Sequence, residues 1–152
     1  MKKDFEKIKS ADRLESHPMR MSDLPFWREM YSDDRVKLEM YSIPRQTDEE
    51  MFNYFNKEGV AKAFTVTLSD ISVGGFTIQK ENPTLGSFGF IVHKDHRGIG
   101  LGAKIIEIVQ IRAKEMGLHT LRADVYADNK ESISVLAKAG FRTFIWLEKN
   151  LE

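Results

Sequence analysis

Three glycines at alternate positions, Gly98, Gly100 and Gly102, stand between a run of strand character and the longest helical stripe of the chain. Upstream, Leu85 to Val92 is apolar and aromatic and follows the breaker Glu81-Asn82-Pro83. Downstream, Ile105, Ile108, Val109 and Met116 fall on one face of a helix spanning about Ile99 to Met116, which Gly117 stops. Glycines at such a junction remove side chains, so an anion can approach the backbone closely. The first helical turn adds unpaired N–H groups and the positive end of the helix dipole, which together favour phosphate. A tight strand-to-helix turn would need the same glycines for geometry alone, so the run Arg97-Gly98-Ile99-Gly100-Leu101-Gly102 by itself leaves both readings open.

The rest of the chain supplies the frame. Asp12 to Arg20 has weak strand character, and Pro18 assigns it to an edge. Ser22-Asp23-Leu24-Pro25 reads as a helix start with Ser22 as N-cap, and Phe26, Trp27, Met30 and Tyr31 follow at helical spacing. Thr47-Asp48-Glu49-Glu50 is a capping box for a helix carrying Met51, Phe52, Tyr54 and Phe55, ended by Gly59. Ala63 to Leu68 and Ile71 to Gln79 read as strands around the turn Ser69-Asp70, with Gly74-Gly75 marking a bulge or a close backbone approach. After the long helix come a strand from His119 to Tyr126, a helix from Asn129 to Lys138 closed by Ala139-Gly140, and a last strand from Phe141 to Leu147. The order β-α-α-β-β-β-α-β-α-β predicts one α/β domain with a mixed sheet over residues 1–152, residues 1–10 being an N-terminal extension, frayed or helical.

Composition removes several function classes. The 152 residues carry 23 basic and 23 acidic side chains, so no global field favours nucleic acid. There is no cysteine, which excludes disulfides, thiolate metal sites and a cysteine nucleophile. The four histidines are scattered without metal-ligand spacing, so no metal site is expected. No apolar run approaches the ~20 residues that cross a bilayer, and the basic start leads into no hydrophobic stretch. A cytoplasmic protein without membrane contact is the expectation.

The ligand of the glycine run narrows by elimination. A P-loop needs Lys then Ser or Thr after its last glycine, and Ala103-Lys104-Ile105 stand there instead. A dinucleotide fingerprint needs G-x-G-x-x-G, whereas these glycines are each two apart and follow three consecutive strands. What the segment resembles is the R/Q-x-x-G-x-G/A motif of the GNAT N-acetyltransferases, with Arg97, Gly100 and Gly102 in the motif positions after the lead-in Val92-His93-Lys94-Asp95-His96. Asn129, Ser132 and Ala139-Gly140-Phe141 resemble a second segment of that family, N-x-x-A/S…GF, at matching separation. The resemblance covers about Asp12 to Leu147 and implies a GNAT fold whose parallel central strands splay apart.

It also implies a chemistry: acetyl transfer from acetyl-CoA to a primary amine by direct attack on the thioester. The amine would be a protein N-terminus, a lysine, a polyamine or a small amine. By resemblance, N–H groups of Gly98, Ile99, Gly100, Leu101, Gly102 and Ala103 bind the coenzyme A diphosphate, with Arg97 beside them. The main chain of Phe90, Ile91 and Val92 pairs with the pantetheine arm, and Asn129 contacts the cofactor or caps its helix. Asp124 occupies the place of a base in some members, acting directly or through water; His93 and Glu81 are weaker candidates. The family's frequent acid, a tyrosine seven residues after the asparagine, is Leu136 here, so Ser132 or Tyr126 would substitute. The Asn-x-x-Ser arrangement leans towards the branch that acetylates ribosomal-protein N-termini. The departure at Leu136 motivates the alternative of a non-catalytic acyl-CoA-binding or regulatory module. The aromatic residues of the first two helices and their connection, including Met40 and Tyr41, would wall the acceptor pocket, with Asp48, Glu49 or Glu50 at its rim. A seventh strand is either missing or supplied by a partner chain, which would make a homodimer.

Overall fold

The computed structural model describes residues 13–33, 47–145 and 147–152. The expected extension over residues 1–10, and Met40 and Tyr41, lie outside them.

The sheet grows in chain order. Strand β1 (Leu14–Pro18) pairs antiparallel with β2 (Ala61–Leu68), β2 with β3 (Ile71–Lys80), and β3 with β4 (Leu85–Val92). The fifth strand, β5 (Thr120–Arg122), joins β4 in parallel, which completes the order β1-β2-β3-β4-β5. Pro18 lies in the outermost strand, where its missing N–H leaves no ladder bond unmade. Ser69 and Asp70 both take positive φ, +48° and +68°, the left-handed pair that closes a two-residue hairpin between β2 and β3.

Among the described residues four α-helices cover the two faces. Helices α1 (Leu24–Ser32) and α2 (Asp48–Phe55) bury Leu24, Trp27, Met30, Tyr31, Met51 and Phe55 against Ala63 on one face. Helices α3 (Leu101–Glu115) and α4 (Lys130–Lys138) bury the larger core on the other, where Leu101, Ile105, Ile106, Val109 and Leu136 meet Val66, Val73, Phe76, Ile78 and Phe88. Gly74 and Gly75 mark close approaches from both sides. A Cβ on Gly74 would meet the Ile91 carbonyl oxygen at 2.5 Å, and one on Gly75 would meet the Trp27 ring at 2.5 Å. The bulge lies next to them: Val66 pairs with Gly74 but Thr67 with Ser72, which leaves Val73 as the extra residue.

Three local expectations are corrected. Helix α1 starts at Leu24 with Asp23, not Ser22, as its N-cap residue. Asp23 is recruited elsewhere: its carboxylate accepts the Arg20 N–H at 2.9 Å and the Thr65 hydroxyl at 2.9 Å, and Thr65 Oγ1 accepts the Trp27 indole N–H at 3.0 Å. The capping box at Thr47 forms as expected, but α2 ends at Phe55 with Asn56 as C-cap, four residues before the left-handed Gly59.

The third correction is at the C-terminal side. Side-chain alternation runs on past β5, with Leu121, Ala123 and Val125 packed on the core and Arg122, Asp124 and Tyr126 exposed. Yet the ladder to β4 stops at Ser87–Arg122, because β5 diverges and a strand exists only as long as it has a partner. The expected last strand from Phe141 to Leu147 does not form among the described residues. Phe144, Ile145 and Leu147 are exposed there, at 71%, 83% and 95%.

Candidate active site

The divergence of β5 opens the site. The His93 N–H donates to the Val73 carbonyl at 2.8 Å, so His93 is a hydrogen-bonded pair with β3. In an antiparallel ladder such pairs alternate, which turns Gly89 and Ile91 towards β3 and the main-chain groups of Phe90 and Val92 towards the departed β5. Of the three residues expected to offer a strand edge, Phe90 and Val92 therefore do so, whereas Ile91 is engaged with the sheet. The Val92 carbonyl is already taken, since it accepts Arg97 Nε at 3.1 Å.

Beyond β4 the chain makes a short 3-10 turn, Lys94–His96, and then the glycine run. Gly98 and Gly100 take φ of +79° and +88°, conformations that a side chain disfavours, so both glycines are needed for the backbone path. Gly100 is the N-cap of α3, and no side chain caps that end. The first turn also carries no acidic residue. Three of the other helices differ: α2 is capped by Thr47, α4 by Asn129, and α1 has proline in its first turn. The α3 N-terminus thus keeps unpaired N–H donors and an uncompensated dipole, the two features that hold an anion. Gly102 faces Phe90 and Val135 at ordinary contact distance, so its missing side chain leaves room rather than relieving a clash.

A cleft of about 1100 Å³ joins these elements. It is lined at one end by Gly98, Gly100, Leu101, Gly102 and Ala103 with Asn129 and Ser132 of the α4 start. At the other it is lined by Trp27, Tyr31, Tyr54 and Phe55 with Lys57, Thr77 and Gln79. Phe90 and Val92 belong to the α3 side of the sheet, Gly89 and Ile91 to the α1 side, and all four line the cleft. The cleft therefore passes around the free edge of β4 from one face of the sheet to the other.

Expected residues divide by this geometry. Every residue expected to bind the cofactor lines the cleft except Ile99, which packs against the core below it. Asn129 does cap α4, its Oδ1 accepting the Ser132 N–H at 3.2 Å, while lying on the cleft wall. Arg97 is a clamp: besides the Val92 carbonyl it pairs with Asp33, just past α1, at 2.7 Å. Of the three catalytic candidates only Ser132 lines the cleft. Asp124 lines a second cavity, of about 1370 Å³, between β5 and α4, and Tyr126 is 64% exposed outside both. His93 is buried with Nδ1 accepting the Asp95 N–H at 3.1 Å and Nε2 against Glu29 at 2.9 Å, with Phe26 stacked on its ring. Glu29, His93 and Asp95 bring one ligand atom each within 4.8 Å of one another, a grouping that the scattered histidines of the sequence did not reveal. Glu81 accepts the Ser87 hydroxyl at 2.7 Å. Leu136 is a core residue.

Lys57, Thr77, Gln79 and Gly89 were not expected. Only Gly89 carried a legible sign, since a glycine inside a strand weakens it and often marks room for a ligand. It is exposed, its φ is unexceptional, and a Cβ there would meet nothing within 4 Å. Neither packing nor backbone conformation demands glycine at this position.

Comparison with known proteins agrees with the fold. The chain is similar in structure to spermidine N-acetyltransferase from Vibrio cholerae, solved with CoA and spermine, at TM-score 0.74 and 17% identity over 84% of this chain and 79% of that one. It is also similar to a ribosomal-protein-alanine N-acetyltransferase from Brucella melitensis biovar Abortus, at TM-score 0.68 and 16% identity over 92% and 99% of the two chains. A transcriptional regulator from Bacillus halodurans matches at TM-score 0.74 and 19% identity over 91% and 100%. These likenesses establish an α/β GNAT-like fold with a mixed five-stranded sheet and four helices. The sequence profile of the acetyltransferase (GNAT) domain matches residues 13–142, and the chain therefore belongs to the GNAT acetyltransferases, a family that uses acetyl-CoA.

Proposed function

We propose that this cleft binds acetyl-CoA and transfers its acetyl group to a primary amine by direct attack on the thioester. The observation that carries the reading is the uncapped N-terminus of α3, opening beside the free edge of β4. N–H groups from Gly98 to Ala103 hold the diphosphate, and Lys130 and Lys138 of α4 add positive charge to the same end of the cleft. The outward main-chain groups of Phe90 hold the pantetheine arm as an added strand, while Arg97 holds the Val92 carbonyl. Acetyl-CoA supplies an activated acyl group with a thiolate leaving group. The Val92 N–H is a donor for negative charge developing on the thioester oxygen.

The attacking amine must be neutral, whereas a free alkyl ammonium has a pKa of about 10.4. Among the described lining residues the only carboxylate is Glu131, at the cofactor end, and Asp124 lies outside. The described residues of the acceptor end thus offer water, rather than a carboxylate in contact with the amine, as the route for the proton. Ser132 is the candidate for protonating the thiolate.

The acceptor among N-terminal, lysine, polyamine and small amines is not carried over from the Vibrio or Brucella proteins, since identity below 20% conveys fold alone. A second reading, a non-catalytic acyl-CoA-binding module, is favoured by Leu136 in the core and by Asp124 and Tyr126 outside the cleft. Incubation with acetyl-CoA and an amine panel, followed by free thiol, separates them. Thiol release with at least one amine supports transfer; tight acetyl-CoA binding with no release on any amine supports the module.

A further inference from the structure

Where β4 has left its ladder with β5, a side chain takes hold of the strand edge. We propose that Asp33 is a positioning residue for transfer: through Arg97 it fixes the Val92 peptide, and with it the N–H donor that faces the thioester. This inference rests on the transfer reading and adds to it a residue that stands behind the cleft lining.

The hydrogen bonds around Val92 carry the argument. In a strand the N–H and C=O of one residue point to the same side, so both groups of Val92 face the free edge. The carbonyl belongs to the Val92–His93 peptide, whose N–H donates to the Val73 carbonyl on the β3 side at 2.8 Å. On the free side that carbonyl accepts Arg97 Nε at 3.1 Å. A neighbouring strand would ordinarily supply the second bond, but the β5 ladder ends at Ser87–Arg122, before Val92 is reached. Arg97 stands in for it. The peptide plane is gripped from both sides, which sets the direction of the adjoining Val92 N–H.

Asp33 decides which way Arg97 points. The same guanidinium meets the Asp33 carboxylate through Nη2 at 2.7 Å, and the two side chains are largely buried, Arg97 at 29% and Asp33 at 15% exposed. Arg97 also opens the glycine run, so a guanidinium released from Asp33 would be drawn towards a bound diphosphate and off the Val92 carbonyl. A lysine could not take its place, because an ammonium is a point charge without the planar fork that meets two acceptors at fixed angles. Asp33 follows directly on α1, and Glu29, one turn earlier, meets His93 Nε2 at 2.9 Å. Helix α1 therefore keeps this second tie, together with the buried Trp27 and Tyr31, when Asp33 is replaced. Loss of Asp33 is thus a loss of aim rather than of the acceptor wall.

The test measures single-turnover thiol release with the fastest acceptor among spermidine, phenethylamine, lysine and an alanyl peptide, and acetyl-CoA affinity by calorimetry. Asp33→Asn should lower the maximal rate about tenfold, change the acceptor concentration at half-maximal rate less than about threefold, and bind acetyl-CoA at least as tightly as the wild type. Arg97→Lys should lose rate to a similar degree. The double variant should be no slower than Arg97→Lys, since both changes act through one contact. Glu29→Gln, which leaves Arg97 and Asp33 in place, should keep the rate within about twofold. A wild-type rate in Asp33→Asn, additive losses in the double variant, or an equal loss in Glu29→Gln overturns the inference and leaves transfer intact. So does a loss in Asp33→Asn that falls on acetyl-CoA affinity instead of rate. If Asp33→Asn fails to fold, a wild-type rate in Arg97→Lys overturns the inference by itself. Turnover of no amine by the wild type overturns transfer, and the inference with it.

Discussion

The two ends of the cleft are built from different materials. At the cofactor end the working groups are main-chain donors: the uncapped first turn of α3, two left-handed glycines, and the outward edge of β4. At the acceptor end they are side chains from α1, α2 and β3, brought together by long-range packing such as Trp27 over Gly75. A main-chain site constrains sequence through what must be absent, namely side chains and caps. A side-chain site constrains it through identities that differ with each acceptor. The first kind recurs as a motif; the second is visible only once the chain is folded.

The contrast is sharpest under substitution. Gly100→Val places a β-branched residue at φ +88° and blocks the first-turn donors, so acetyl-CoA affinity should fall by at least about 100-fold, roughly 2.7 kcal/mol, by calorimetry. A circular dichroism spectrum like that of the wild type would show the fold intact. Trp27→Ala removes a fully buried indole and its bond to Thr65, and should lower unfolding free energy by about 3–5 kcal/mol in urea titrations. A loss under 1 kcal/mol would break the claim that packing over Gly75 builds the acceptor wall. Gly89→Leu should lower kcat/KM for the acceptor by about 30-fold while cofactor affinity changes less than about threefold. Equal losses in both would mean that Gly89 serves the cofactor instead. Asp124→Asn, outside the cleft, should leave kcat/KM within about twofold; a hundredfold loss would return the base role to it.

Legibility followed the same division. Strand β4 was readable to the residue, Leu85–Val92, because a proline-containing breaker precedes it and the glycine run follows it. The capping box at Thr47 was readable because it is a local exchange of two hydrogen bonds. The Asp23 network was not, since its carboxylate is drawn to Thr65, 42 residues away. The strand expected over His119–Tyr126 kept its alternation but lost its ladder after Arg122, and the one expected over Phe141–Leu147 has no partner among the described residues. Side-chain pattern reports which face is buried; it does not report whether a neighbour supplies hydrogen bonds. Arg97 was assigned to the motif correctly by position, but its bonds to Val92 and Asp33 could not be read from spacing. Lys57 left no trace in the sequence at all.

The central claim is that the α3 N-terminus and the free β4 edge hold coenzyme A. Titration calorimetry with acetyl-CoA, run in parallel on the wild type, Gly100→Val and Gly89→Leu, tests it most directly. The account predicts binding that is lost in Gly100→Val and retained in Gly89→Leu. Unchanged affinity in a folded Gly100→Val protein would contradict it.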